Sequence, residues 1–340
     1  MLSLLAMKVE NFAEKIASTI GEHTENVGRI AAGLKAAGDP LRLQVLSVLA
    51  SDSFGVLELC QIFDAKQSGM SHHLKVLSRA GFVDTRREGN TLFYRRSDAL
   101  IGDTQKQLRN SIYAAAQSLP LNNEIEKNLA EVYGRRAEAS RAFFRSHADA
   151  FKKQSELIAS FDVYGPEVGK LLTRTNFNET KHALEIGPGV GEFLSSLSAT
   201  FDQVTALDSS EPMLKQSQAH CIKEELDNID FICGDTNECR NWQERFDCAA
   251  INMVLHHTPS PQKIFQDVAF ALKTNAVLLV SDLGAHDQDW VREACGDQWL
   301  GFNAEELKNW ASNAQLKAGE SRYLSLRNGF QIQIHQFIKK

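Results

Sequence analysis

Little in this sequence points to export, to a membrane or to a chain that is basic throughout. No apolar run approaches the roughly 20 residues needed to cross a bilayer. The opening Met1-Leu2-Ser3-Leu4-Leu5-Ala6-Met7 carries no basic residue ahead of it and is broken by Lys8, too short for a secretory leader. The six cysteines, Cys60, Cys221, Cys233, Cys239, Cys248 and Cys295, contain no C-x-x-C pair and five of them lie in the second half among apolar or helical residues, so free thiols in a reducing cytoplasm fit better than a disulfide framework. Between 99 and 160 the only helix-disfavouring residues are Pro120, Gly102 and Gly134, so long helices are expected there. The net charge of −6 excludes a uniformly basic chain. No Asn/Asp-Pro-Pro-Tyr motif is present, which argues against an enzyme that flips and modifies a nucleic-acid base.

What is present fits two globular units, since 340 residues is about twice the usual domain size. Residues 8–20 place Val9, Phe12, Ile16 and Ile20 on one helical stripe, a packing helix. From 25 to 98 the pattern is short helices followed by a strand pair, with Gly38-Asp39-Pro40 as a helix start and Glu88-Gly89-Asn90 as a hairpin tip. After Gly165-Pro166 strands alternate with helices. Strands are expected at His182–Gly187, Gln203–Asp208, Ile229–Gly234, Phe246–Val254 and Ala276–Leu283, with a helix opening near Glu192. That alternation implies a parallel sheet covered on both faces. The end of the sequence, Tyr323–Leu326, a turn at Asn328-Gly329 and Gln331–Ile338, reads as an antiparallel hairpin. The expected division is an N-terminal helix at 1–24, a small helical domain with a strand pair at 25–98, linking and pairing helices at 99–160 and an alternating strand–helix domain at 161–340.

In the first half, Val56–Phe63 and Lys66–Gly81 form a helix-turn-helix. Met70, Leu74 and Leu77 point inward at helical spacing, which leaves Gln67, Ser68, Ser71, His72 and Lys75 outward, side chains suited to base edges and phosphates. The strands flanking Thr85-Arg86-Arg87-Glu88-Gly89-Asn90-Thr91 make a wing with Arg86 and Arg87 near its tip. Between Lys66 and Arg96 seven Lys/Arg stand against Asp84 and Glu88, a local balance of +5 in an acidic chain. Concentrated positive charge of this kind is the footprint of duplex binding; the bland alternative is a winged helix used for protein contacts.

Residues 28–98 resemble the ArsR/SmtB family of bacterial winged-helix repressors through Asp39-Pro40-Leu41-Arg42, Glu58-Leu59-Cys60, Ser71-His72-His73-Leu74 and Phe93-Tyr94-Arg95. The resemblance implies a dimer on an operator. Metal-sensing members carry Cys-x-Cys after Glu-Leu, where this chain has Ile62, and others use His on the last helix, where 99–118 has none. No metal site is therefore expected, and Cys60 reads as a small buried hydrophobe.

In the second half, Glu185-Ile-Gly187-Pro188-Gly189-Val-Gly191 closes a strand and opens a helix, a loop whose small residues let backbone approach a ligand. Asp208 ends the next strand, where a ribose would sit. A dinucleotide site would space its glycines G-x-G-x-x-G. The observed E-x-G-x-G-x-G resembles the first motif of class I methyltransferases, a Rossmann-like α/β fold, and Gly234-Asp235 and Asn252-Met253-Val254-Leu255-His256 resemble later ones. The resemblance implies S-adenosylmethionine (SAM) or S-adenosylhomocysteine (SAH) as ligand, with Glu185, Gly187, Pro188, Gly189 and Gly191 around the methionine part, Asp208, Ser209 and Met213 by the ribose, Gly234, Asp235 and Thr236 by the adenine, and Asn252, Met253 and His256 beneath. No catalytic residue is assignable. His256 and His257 read as cofactor floor and loop rather than as a base or metal ligands. Asp282 and His286-Asp287 read as substrate residues or as helix caps. Phe143, Phe144, His147, Phe151 and Tyr164 read as a lid or as ordinary packing.

Chains joining an ArsR-like reader to a methyltransferase-like domain resemble SAH-responsive regulators. The expectation is a regulator, a repressor in sense, controlled by SAH or SAM. The alternative is an active SAM-dependent methyltransferase acting on a small molecule, with an attached DNA-binding domain.

Overall fold

The computed structural model describes residues 24–89, 91–97 and 105–340. The expected helix at 8–20 and the wing-tip residue Asn90 lie outside the described residues. The chain divides into two compact units, Met1–Ala130 and Glu131–Lys340.

The first unit begins with a helix over 24–37, α1. Helix α2 (Pro40–Val48) starts where the sequence signals it: the Asp39 side chain accepts from the Arg42 amide at 3.0 Å, and Pro40 supplies the fixed φ of a first helical position. Helices α3 (Val56–Ile62) and α4 (Gln67–Arg79) follow, then strands β2 (Val83–Glu88) and β3 (Thr91–Arg96), and then α5 (Lys106–Ser118). A short β1 (Phe54–Gly55) pairs with β3, giving a three-stranded sheet in the order β1-β3-β2. Leu46, Leu59, Ile62, Met70, Leu74 and Leu77 are wholly buried, so helical periodicity alone picks out the core of this unit. Helix α5 is tied back to the start of the wing by the Tyr113 hydroxyl, which donates to the Phe82 carbonyl at 2.5 Å, and by Arg109, which donates to the Gly81 carbonyl at 3.0 Å.

Helix α6 (Asn123–Ser155) carries the chain into the second unit. There α7 (Phe161–Arg174) precedes a seven-stranded sheet of β4 (His182–Ile186), β5 (Gln203–Asp208), β6 (Ile229–Cys233), β7 (Phe246–Asn252), β8 (Leu272–Leu283), β9 (Leu316–Ser325) and β10 (Gln331–Lys339), in the order β6-β5-β4-β7-β8-β10-β9. The first five strands are parallel and β10 runs antiparallel between β8 and β9. Every residue of β7 is buried, the mark of a strand covered on both faces. Strand order reverses between β4 and β7, and an open α/β sheet binds its ligand outside the carboxyl ends of strands at such a reversal. The intervening helices are α8 (Leu194–Ser198), α9 (Glu211–Lys223), α10 (Pro261–Ala271), α11 (Val291–Cys295) and α12 (Ala304–Asn313).

Three boundaries differ from expectation. The turn after the glycines delays α8 to Leu194. Strand β8 starts at Leu272, because Asn275 takes a left-handed φ of 64° that Asn tolerates, and the ladder shifts register there rather than ending. Strand β9 begins at Leu316, well before the expected Tyr323. It is an edge strand whose Lys317–Glu320 stretch is exposed throughout, so no apolar alternation marks it.

Candidate functional site

Two surfaces carry recognisable chemistry, one in each unit. On α4, Gln67, Ser68, Ser71, His72 and Lys75 are all exposed while Met70, Leu74 and Leu77 face the core, as the spacing predicts. Arg87 is exposed on the wing. Arg86 is placed differently: its side chain is 12% exposed and forms an ion pair with the fully buried Glu88 carboxylate. A carboxylate out of water needs that partner, so Arg86 holds the wing together rather than reaching outward. Cys60 is half-buried rather than fully buried.

In the second unit the glycine loop leaves β4 with Gly187, Gly189 and Gly191 at φ of 63°, 60° and 91°, a region that side chains disfavour. Gly187 is also hemmed in: a Cβ there would stand 2.6 Å from Cγ2 of Val254, so only glycine lets the loop lie against the segment after β7. A Cβ at Gly189 would meet nothing within 4 Å. The loop is fixed from behind by the Ser217 hydroxyl of α9, which donates to the Gly189 carbonyl at 2.8 Å.

Glu185, the last acidic residue before the loop, is 1% exposed. Its Oε1 accepts from the Asn252 amide at 3.2 Å, Asn252 in turn accepts from the Ser281 hydroxyl at 2.9 Å, and its Oε2 has no partner. A buried carboxyl with one unpartnered oxygen is an acceptor waiting for a donor. Burial pushes the Glu185 carboxyl up to about 8 against an ordinary 4.5, with the Asn252 bond offsetting part of the rise. Below pH 4.5 folded and unfolded chains both hold this proton. As pH climbs to about 8 the unfolded chain releases it and the folded chain keeps it, so stability falls across that window. Glu185→Gln should flatten this slope, by on the order of a few kcal/mol between about pH 5 and about pH 8 in urea unfolding of the ligand-free chain. An unchanged slope would remove Glu185 as its source.

The remaining expected ligand residues spread along the carboxyl ends of the strands. Asp208 ends β5, its Oδ1 accepting from the Ser210 amide at 2.8 Å, and burial pushes its carboxyl up to about 6. Ser209 and Asp235 are exposed and Gly234 half-buried, while Pro188 is buried. Asp235 caps the short 3-10 turn Thr236–Asn241, and the Thr236 hydroxyl turns away to donate to Asp267 at 2.7 Å. Met213 is 2% exposed and belongs to the core. Met253 and Val254 are half-buried, Met253 at a φ of 56°. His256 is 2% exposed, with Nδ1 at 2.7 Å from Oδ1 of Asp282, which also accepts from the Leu255 and Leu283 amides. Asp282 is thus buried and does not cap the next helix, which is entered at Trp290 without the His286-Asp287 pair; it holds the first amide of the short 3-10 turn Leu255–His257 instead.

Residues 144–323 of this sequence match a family described as "methyltransferase domain", more than half of the 340 residues. The chain belongs to this methyltransferase-domain family. Its methyltransferase domain is similar to the ubiquinone biosynthesis O-methyltransferase of Coxiella burnetii, 25% identical over an alignment of 169 residues that covers 45% of this chain and 71% of that one. Residues 37–86 match a second family, described as "helix-turn-helix domain". Here the similarity is to the biofilm growth-associated repressor of Agrobacterium fabrum, 40% identical over 81 residues (24% of this chain, 66% of that one), and to the transcriptional activator HlyU of Vibrio cholerae, 38% over 73 residues (22% and 68%). The first unit is a helix-turn-helix DNA-binding domain of the transcription-regulator type. One solved structure, the 1,6-didemethyltoxoflavin-N1-methyltransferase of Burkholderia thailandensis, covers 66% of this chain and 93% of that one at 18% identity and a TM-score of 0.49.

Within the methyltransferase domain the aromatic stripe of α6 packs on the segment after β7: the Phe144 and Phe151 rings stand 5.1 and 6.0 Å from His257. Further along the same helix Lys152 reaches Glu192, next to the glycine loop, at 2.8 Å. Tyr164 on α7 lies within electrostatic reach of Glu192, Glu185 and Asp282, which with burial raises its phenol. Sequence spacing left these aromatics undecided between lid and packing; the structure sets the Phe144 and Phe151 rings edge-on to His257 and packs Tyr164 against the core of the domain. Asp297 was missed. It stands 3.6 Å from Nδ1 of His257, and no local pattern announces so distant a partner.

Proposed function

We propose that the chain is a transcriptional regulator whose operator affinity is set by SAH or SAM held in the methyltransferase domain. The observation that carries this reading is the pairing, in one chain, of an exposed polar and basic reading helix with a glycine cradle backed by the unpartnered Glu185 oxygen. An adenosyl amino acid suits the cradle. Its ammonium can donate to Glu185 Oε2, its carboxylate can meet the loop amides, and its ribose hydroxyls can meet Asp208 at the end of β5. On this reading 25–98, 99–160 and 161–340 are the reader, the linking helices and the sensor, while the expected N-terminal helix at 1–24 falls almost wholly outside the described residues.

The reader works as a homodimer. Val27, Ile30 and Leu34 form an apolar row on α1, 54%, 40% and 54% exposed, and Leu119 after α5 is 60% exposed. A second copy is the economical cover for such a row, and one reading helix contacts too few bases for useful specificity. No helix among the described residues is long and apolar enough to cross a membrane. The reading places the chain in the cytoplasm. The two regulators named above are a repressor and an activator, and the repressor sense is the one proposed here.

SAH is the signal. It is neutral at sulfur, whereas the sulfonium of SAM must be desolvated against Met253 and Val254, which flank the loop and carry no charge. Binding of SAH should weaken operator binding with a coupling of about 1–3 kcal/mol, roughly 5- to 150-fold. Fluorescence titration of an operator fragment with each ligand at equal concentration tests this. Equal or stronger release by SAM, or methyl transfer to a supplied acceptor at useful turnover, would promote the enzyme reading instead.

A further inference from the structure

We infer that His256, His257 and Asp297 form a binding site for one divalent transition-metal ion, zinc in chemical class, in the methyltransferase domain. One donor atom from each of the three lies within 4.8 Å of the other two, and all three residues are buried. His256 is shared with the family-based ligand assignment, and the metal inference rests on the geometry of the three side chains alone.

Asp297 is the decisive residue. Its side chain is fully buried, yet neither carboxylate oxygen has a hydrogen-bond partner, and Nδ1 of His257 is 3.6 Å away, too far for a hydrogen bond. A carboxylate removed from water and left unpartnered is costly, and a bound cation is one of the few things that compensates it. The two histidines stand beside it with their rings 4.0 Å apart. Asp282 occupies Nδ1 of His256 at 2.7 Å and is itself held by the Leu255 and Leu283 amides. That bond leaves Nε2 of His256 for an ion and fixes the ring, the carboxylate–histidine support that metal-binding imidazoles use.

The loop that delivers Asp297 is stapled to the histidines. The Gln298 and Trp299 amides both donate to the His256 carbonyl, at 2.8 and 3.1 Å, the Gln298 side chain donates to the His257 carbonyl at 3.0 Å, and Trp299 Nε1 donates to the Thr258 carbonyl at 2.8 Å. Gly296 enters this loop at a φ of 78° and lies so close to Phe143 that a Cβ would come within 2.4 Å of its ring. Ligands at about 2.1 Å around a tetrahedral ion stand roughly 3.4 Å apart, so donors within 4.8 Å of one another need to close by up to about 1.4 Å, within the reach of side-chain rotation. Two imidazoles and one carboxylate select a borderline ion such as zinc or cobalt over calcium and magnesium, which prefer all-oxygen shells, and over Cu(I), which prefers thiolates. Three protein ligands leave one position open.

Cobalt(II) titration of the chelator-stripped full-length protein tests the inference, with zinc competition and metal analysis of the protein as isolated. The expected result is one Co²⁺ per chain with the visible bands of a low-coordinate nitrogen and oxygen site, displaced by Zn²⁺, and a higher melting temperature with Zn²⁺. Asp297→Asn and His257→Gln should weaken Zn²⁺ binding at least about 100-fold, and Asp282→Asn about 10- to 100-fold as a positioning residue with the stoichiometry kept. Circular dichroism and a cooperative thermal unfolding transition on the same samples report whether the fold survives. Wild-type protein that takes up neither ion and melts at the same temperature with and without Zn²⁺ would overturn the site, as would unchanged cobalt bands in folded Asp297→Asn or His257→Gln.

Discussion

Gly189→Arg should abolish binding of both SAH and SAM while leaving the circular dichroism and the fold of the chain intact. The three glycines of the loop are unequal in this respect. A side chain at Gly187 would drive into Val254, and one at Gly191 would stand 3.1 Å from the Ser217 backbone, so either substitution disturbs the domain before it reports on a ligand. Gly189 faces open space, and its φ of 60° costs a side chain about 1–2 kcal/mol of local strain, which a domain of this size tolerates. An arginine there fills the volume over the loop and brings a charge. The expected loss is at least about 100-fold in affinity, near 2.7 kcal/mol or more. Isothermal calorimetry decides it: undiminished binding by a folded Gly189→Arg chain would move the ligand elsewhere.

The second large effect concerns the reader. Lys75 on α4 and Arg87 on the wing are exposed cations on the two elements that a winged reader sets against DNA. Replacing both by alanine should weaken binding to all duplexes alike, by about 10-fold or more at moderate salt, and should reduce the slope of log affinity against log salt by roughly 2. Gln67 and His72 are exposed on the same helix and are the residues proposed to touch base edges, so their substitution should shift sequence preference and leave the salt slope alone. Arg86→Ala should instead loosen the wing, because it removes the ion pair to the buried Glu88 carboxylate. Gel shifts across a salt series separate these outcomes. A Lys75→Ala/Arg87→Ala chain with the wild-type salt slope would remove both from the interface.

What the sequence made legible was local. The inward row Met70, Leu74 and Leu77, the Asp39-Pro40 helix start and the glycine spacing after Glu185 each state their structure within a few residues, because period, capping and φ > 0 are local physics. Arg86 looked free because a charge at a wing tip usually is. Its partner Glu88 lies two residues along the same strand, so both side chains fall on one face, and burial there turned a contact residue into a brace. The His257 and Asp297 pairing was hidden for a different reason: it depends on how α11 and its loop return to the end of β7, which only the assembled sheet determines. Edge strand β9 escaped because exposure erases the apolar alternation on which strand recognition rests.

The position of β10 in the sheet has a consequence for the order of events during synthesis. This strand comes last among the described elements yet lies between β8 and β9, so the ladder on both its sides stays open until residues 331–339 have left the ribosome. The helix-turn-helix unit is contiguous and precedes all of the parallel strands, so it can fold as an independent body while the sheet is still being made. During each round of translation the chain therefore passes through an interval in which a reading helix exists and its ligand-binding partner does not. On the proposed regulatory reading, nascent molecules in that interval can hold DNA before they have any means of being told to let go.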